Sequence, residues 1–158
     1  MKPQSIIIKY HRIILYLTTL GLAAYGIMAI INPDVLASGF NRFTEQDWGR
    51  FQIDNQVVAA YVTLLWRLIG GFNLAVGLTL TFVVWRWLLP GSRWAWITLL
   101  LGTLMAYLSP MILDLTVRSI EVFEVIEFLL FGLFVITMLF VRQEYFTQPD
   151  ARSHQSKA

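Results

Sequence analysis

The sequence contains no cysteine and few charged residues, and each absence excludes a class of protein. Without cysteine the chain forms no disulfide, no thiolate metal site and no cysteine nucleophile. Only 14% of its 158 residues are charged, whereas soluble domains carry about 25%. Because 57% of the residues are hydrophobic, too little polar surface remains to cover a water-soluble domain. We therefore predict an integral membrane protein.

Histidine is scarce as well, and both histidines, His11 and His154, lie outside the long apolar runs. This pattern disfavours a haem or a transition metal inside a helix bundle, so no cofactor is expected. The sequence has no Walker loop, dinucleotide fingerprint, nucleophile elbow or zincin motif, and no catalytic residue is assigned. With a net charge of only +2 and basic residues at segment ends, nucleic-acid binding is not expected either.

Four apolar runs are long enough to cross a bilayer, whose hydrocarbon core takes about 20 helical residues. They cover about residues 13–31, 57–89, 94–115 and 120–141. Their scattered glycines and weak alternation predict helices rather than barrel strands. We expect an all-α fold, a four transmembrane helix bundle forming one domain over residues 1–142, with a polar cytoplasmic tail at 143–158. The first run exceeds the usual h-region of about 7–15 residues, so it is expected to stay in the protein rather than leave as a signal peptide.

The basic residues predict the orientation of the bundle. In the four-span arrangement eight Lys and Arg residues fall on one side and three on the other, while the acids favour the second side. We expect a bacterial cytoplasmic membrane with both termini in the cytoplasm. The eight basic residues are Lys2, Lys9, Arg12, Arg86, Arg93, Arg142, Arg152 and Lys157.

The segment at residues 33–56, between the first two spans, mixes aromatic and charged residues. This composition predicts a short amphipathic helix on the membrane surface. Thr44 and Asp47 enclose a capping-box pattern that would begin this helix. We expect a lid over the outer helix ends, with a dedicated binding loop as the alternative. Its apolar members are Phe40, Phe43, Trp48, Phe51 and Ile53.

Arg67 is the residue most expected to matter, because an arginine inside an apolar run is costly and is normally turned inward and paired. At helical spacing it shares a face with Gly70, Gly71 and Gly77, a small-residue stripe suited to close helix packing. The sequence therefore predicts that this face forms the interior of the bundle.

Acidic residues provide partners for this arginine. Glu121, Glu124 and Glu127 recur every third residue at the start of the fourth span, and Asp114 lies near the end of the third. We predict that Arg67 pairs with Glu124 or Glu127 in an outward-facing polar pocket. The pair could fix helix register, hold a polar ligand or headgroup, or carry protons or ions. The acids could also bind a hard cation through oxygen ligands, although no metal site is assigned.

Four motifs that contain glycine or proline lie within or beside the first two apolar runs: Ala24-Tyr25-Gly26, Asn32-Pro33-Asp34, Trp66-Arg67-Leu68-Ile69-Gly70-Gly71 and Leu74-Ala75-Val76-Gly77. They resemble those of the DoxX-like small membrane proteins and related four-helix families over roughly residues 10–140. The resemblance implies a four-helix fold and, because some members are accessory subunits of membrane oxidoreductases, a non-catalytic accessory subunit. A membrane-protein partner or a homo-oligomer is then expected within the lipid bilayer. The alternative is a small transporter or a lipid- or quinone-interacting protein built around Arg67.

Overall fold

The computed structural model describes residues 3–89, 92–117 and 122–146, and every element within these ranges is helical. Four of the helices contain stretches long and apolar enough to cross a membrane, which confirms the predicted all-α fold with four long apolar helices. The elements are α1 (Pro3–Ile31), a 3₁₀ turn (Pro33–Leu36), α2 (Ala37–Thr44), α3 (Trp48–Asp54), α4 (Gln56–Arg86), α5 (Arg93–Val117) and α6 (Val122–Phe146).

The helices extend beyond several of the predicted bounds. α1 begins ten residues before the predicted span, and α6 continues to Phe146, so the predicted polar tail begins as helix. The rest of that tail, residues 147–158, lies outside the described residues. Pro110 lies inside α5 without ending it, which is tolerated in membrane helices when neighbours satisfy the freed backbone groups.

The four long helices form a ring in which α1 and α5 each pack against both α4 and α6. The Tyr107 hydroxyl of α5 donates a hydrogen bond to the Thr18 carbonyl of α1 at 3.2 Å, which links these two helices through the middle. Within the described part of the chain, α4 and α6 do not form a close helix pair. They therefore lie diagonally opposite each other across the α1–α5 contact.

The closest helix contact joins α1 to α4, and glycine makes it possible. A Cβ atom added at Gly77 would meet the backbone nitrogen of Ala23 at 2.5 Å, and one at Gly70 would meet the Gly26 carbonyl oxygen at 2.8 Å. Both distances are too short for any side chain, so the two backbones touch directly. One turn beyond Gly77, the Thr81 hydroxyl donates to Thr19 Oγ1 at 2.9 Å.

These contacts run antiparallel and set the relative depth of the helices. Gly70 of α4 lies against Ile30 of α1, so the last residue of α1, Ile31, lies beside about Ile69. The part of α4 from Gln56 to Leu68 therefore continues past the end of α1 by about 20 Å at helical rise. The second run was predicted to be long enough to tilt or protrude, and relative to α1 it extends past the helix end.

The other end of the bundle is held by side chains bonded to helix-end carbonyls. We call it the basic end. The Arg12 guanidinium donates to the Leu88 carbonyl, and Arg93 donates to the Phe146 carbonyl at 3.1 Å. His11 hydrogen-bonds the Tyr145 hydroxyl at 3.0 Å, joining α1 to α6. The arginines placed here by the described residues are Arg12, Arg86, Arg93 and Arg142.

We expect Gly77→Ala to destabilise the bundle by about 1–3 kcal/mol, because the new methyl group overlaps the α1 backbone. Unfolding in mixed detergent micelles, followed by circular dichroism, measures this change. Gly71→Ala is the matched control, since nothing lies within 4 Å of a Cβ at Gly71 and alanine favours helix. Equal stabilities of the two variants would contradict the close α1–α4 contact.

Candidate functional site at the cap end

The end of the bundle that carries α2 and α3 is called the cap end.

The predicted capping box at Thr44 is wrong: Thr44 ends α2, and its hydroxyl donates back to the Phe40 carbonyl at 2.8 Å. Glu45 then adopts a left-handed conformation with φ 56°, which terminates the helix. Asp47 caps α3 instead, because its backbone is extended and its carboxylate accepts from the Arg50 nitrogen at 2.9 Å. The segment is therefore two short helices rather than one.

Four aromatic side chains pack together where α2 and α3 meet α4. Trp48 is only 4% exposed, and its ring centroid lies 4.6 Å from that of Trp66 and 4.9 Å from that of Phe40. Aromatic pairs of this kind contribute about 0.5–1.5 kcal/mol each beyond the area they bury. We call this group the cap cluster; its members are Phe40, Trp48, Phe51 and Trp66.

The polar groups of the buried tryptophan are satisfied within the cap. Its indole nitrogen donates to Asp34 Oδ1 at 2.9 Å, and its backbone nitrogen donates to Asn41 Oδ1 at 2.7 Å. The 3₁₀ turn, α2 and α3 are thus tied together around Trp48. The apolar side of this segment faces α4, whereas a helix lying on the membrane surface would face lipid. Phe43 and Ile53 remain exposed.

Arg67 lies at the cap end with its side chain exposed on the outside of the bundle. This differs from the expectation that its face is the interior. Gly70 and Gly77 touch α1, but at about 100° per residue Arg67 lies about 60° to one side of Gly70. Gly71, displaced further in the same direction, contacts nothing that a Cβ would meet within 4 Å. Only the first two glycines pack the helices.

Glu127 is half-buried on α6, one turn from Phe131, whose ring stacks on Tyr107 at 5.7 Å. The predicted pair with Arg67 is not among the ion pairs of the described side chains, because α4 and α6 lie diagonally opposite each other. Among described side chains the one ion pair joins Arg50 to Asp54 at 3.9 Å, and exposed pairs of this spacing contribute little.

The remaining acids cannot be placed in the site. The backbones of Asp114 and Glu124 lie in α5 and α6, but their side chains are outside the described set, as is all of Glu121. The pairing of Arg67 with Glu124 therefore stays a prediction. The side chains that the structure describes, which do not include these three acids, contain no group of three that could bind a metal ion.

Two open depressions lie on the surface at the cap end, and neither includes Arg67 or Glu127. The first is lined by Asn41, Arg42, Glu45, Gln46 and Asp47, and the second by Ile53, Asp54, Asn55, Gln56, Val57 and Val58.

No family model, no curated protein and no solved structure matches this chain. The resemblance to the DoxX-like proteins accordingly stays a prediction.

Asp34, Asn41 and Trp66 are the cap residues that sequence reasoning missed. Trp66 lies inside an apolar run whose hydropathy indicates a continuous membrane span, so hydropathy did not mark it as a cap residue. The available signal was the pair Trp66-Arg67, because a tryptophan beside an arginine is typical of a membrane–water boundary rather than of the hydrocarbon core.

We expect Trp48→Ala to open the cap, because removing a buried tryptophan costs about 3 kcal/mol or more. Amide hydrogen exchange over Trp48–Asp54 should accelerate about tenfold or more, while exchange in α1 stays unchanged. Trp85→Ala is the control, since Trp85 is 66% exposed and lies near the other end of α4. Unaltered exchange in Trp48→Ala would show that the cap cluster does not hold α3.

Proposed function

We propose that this chain is a non-catalytic accessory subunit of a larger membrane complex. The observation that carries the proposal is an apolar stripe on α4 that continues past the level where α1 ends. Its residues recur every three or four positions and range in exposure from 51% at Leu68 to 86% at Val57. We call it the outer stripe; it comprises Val57, Tyr61, Leu64, Leu68 and Phe72.

A lipid-facing surface has no reason to stay apolar beyond the bilayer. Phe72 lies below the level of Ile31 and Leu68 lies one residue beyond it, where lipid covers both. Val57, Tyr61 and Leu64 lie up to about 18 Å beyond that level at helical rise, and water would face them in an isolated chain. Exposed apolar side chains at this spacing are typical of a helix that packs into a partner's groove.

We call the part of α4 that continues past α1, from Gln56 to Leu68, the α4 extension. The cap packs against the side of this extension that lies opposite the outer stripe. Trp66 and the buried Ala59 lie on the face of α4 opposite the outer stripe, and α3 packs against the same helix. Because the cap cluster stiffens the extension, little conformational entropy is lost when a partner binds it. The partner is expected to present an apolar surface next to the membrane.

We expect Leu64→Glu and Val57→Glu to release the partner, because each places a charge in an apolar contact. The measurement is native mass spectrometry after affinity purification in mild detergent. Gln56→Glu is the matched control, since it adds the same charge at an exposed neighbouring position outside the stripe.

Co-purifying proteins at fixed stoichiometry in wild type and Gln56→Glu, but not in the stripe variants, would support the proposal. A wild-type chain that purifies as a stable, ligand-free monomer would contradict it. So would partners that remain bound to Leu64→Glu.

The basic end and both termini are proposed to face the cytoplasm of a bacterium, as the excess of arginine and lysine indicates. The absence of native cysteine makes this directly testable. In intact cells, a membrane-impermeant maleimide should label Gln46→Cys between α2 and α3. It should label Ala158→Cys only after lysis. The reverse pattern would invert the topology.

A further inference from the structure

The depth of Arg67 follows from two contacts. At the basic end, Arg12 of α1 reaches the Leu88 carbonyl. At the cap end, the contact of Gly70 with Ile30 places Arg67 just beyond the last turn of α1. From Leu88 to Arg67 the chain rises roughly 30 Å, which equals the thickness of a bilayer's hydrocarbon core. Arg67 therefore lies at the headgroup layer rather than within the hydrocarbon.

The surroundings of Arg67 are those of a residue facing lipid. Its side chain is exposed, and the neighbouring Leu68 and Phe72, which lie on the deeper side of it, are exposed and apolar. Gly71, one turn deeper, leaves open space beside it. Side chains of a helix lean toward its N-terminus, and the N-terminus of α4 points out of the bilayer at the cap end. The guanidinium is thus directed toward the headgroups while its methylene stem covers apolar surface.

At this depth the exposed guanidinium of Arg67 is accessible to an anion. None of the carboxylates with described side chains pairs with it, and the nearest abundant anion at this depth is a lipid phosphate. The planar guanidinium donates two parallel hydrogen bonds to phosphate oxygens.

We propose that Arg67 binds the phosphate of a phospholipid in the leaflet at the cap end. The inference does not depend on the proposed accessory role, because lipid and partner bind different surfaces of α4. Arg67 lies beside the outer stripe, about 60–140° around the helix from its members. Loss of one therefore leaves the other measurable.

The test is a native mass spectrometry titration of the full chain in detergent. The probes are phosphatidylglycerol, diacylglycerol with the same acyl chains, and inorganic phosphate. Wild type should retain phosphatidylglycerol more tightly than diacylglycerol, and Arg67→Gln should lose one tightly bound copy. Losing charge-assisted hydrogen bonds should weaken that copy about tenfold or more. Arg42→Gln, which removes another exposed cap-end arginine, should bind as wild type does.

Arg67→Lys keeps the charge but not the paired donors, and should weaken the same copy by a smaller factor. If Arg67→Gln does not fold, Arg67→Lys replaces it in the titration, and Arg42→Lys is then the control. Unchanged affinity for phosphatidylglycerol in the Arg67 variants overturns the proposal.

Three further results would also overturn it. Inorganic phosphate that displaces the lipid at equal concentration would make the site one for free phosphate. A protein partner lost from Arg67→Gln with lipid binding intact would place Arg67 in a protein interface. Equal destabilisation by Arg67→Gln and Glu124→Gln, again with lipid binding intact, would return Arg67 to the internal ion pair.

Discussion

The backbone contact between α1 and α4 determines where the rest of the chain lies. Gly26 and Gly70 oppose each other, as do Ala23 and Gly77, and each pair touches without room for a further methyl group. Because the contact is that close, it admits only one antiparallel register. That register sets the level at which α1 ends against α4, and with it the depth of Arg67 and the length of the α4 extension. Both proposals above rest on this level.

The cap depends on the same contact in a second way. The 3₁₀ turn begins directly after α1, so the register decides which residues of α4 the returning chain meets. It meets Trp66, and the buried Trp48 packs on it while Asp34 and Asn41 satisfy its two nitrogens. An amphipathic segment that could have rested on lipid is instead folded against a helix. One face of the extension is covered as a result, and the opposite face keeps its apolar side chains exposed.

Arg67 lies outside the bundle interior, contrary to the prediction, for a geometric reason. Arginine and the three glycines fall within one half of a helical wheel, and helical spacing could not decide which part of that half meets α1. The structure turns the Gly70–Gly77 side inward, so Arg67 lies at the edge of the contact and Gly71 faces open space. The order of helices adds a second reason. Glu127 belongs to α6, which lies across the α1–α5 contact from α4.

Composition and hydropathy were sufficient to predict an all-helical protein with four long apolar helices. Each of these properties depends on whether a segment requires water or a nonpolar solvent, and the apolar content of the segment determines that. Spacing also identified Gly70 and Gly77 as small residues suited to close packing. Hydropathy could not show that α4 continues past the end of α1 from Gln56 to Leu68, since Val57 and Leu78 are equally apolar wherever they lie. Only the tertiary contacts with α1 and the cap decided where that helix extends beyond its neighbour. Depth and pairing are relations between segments, and a single segment's sequence does not contain them.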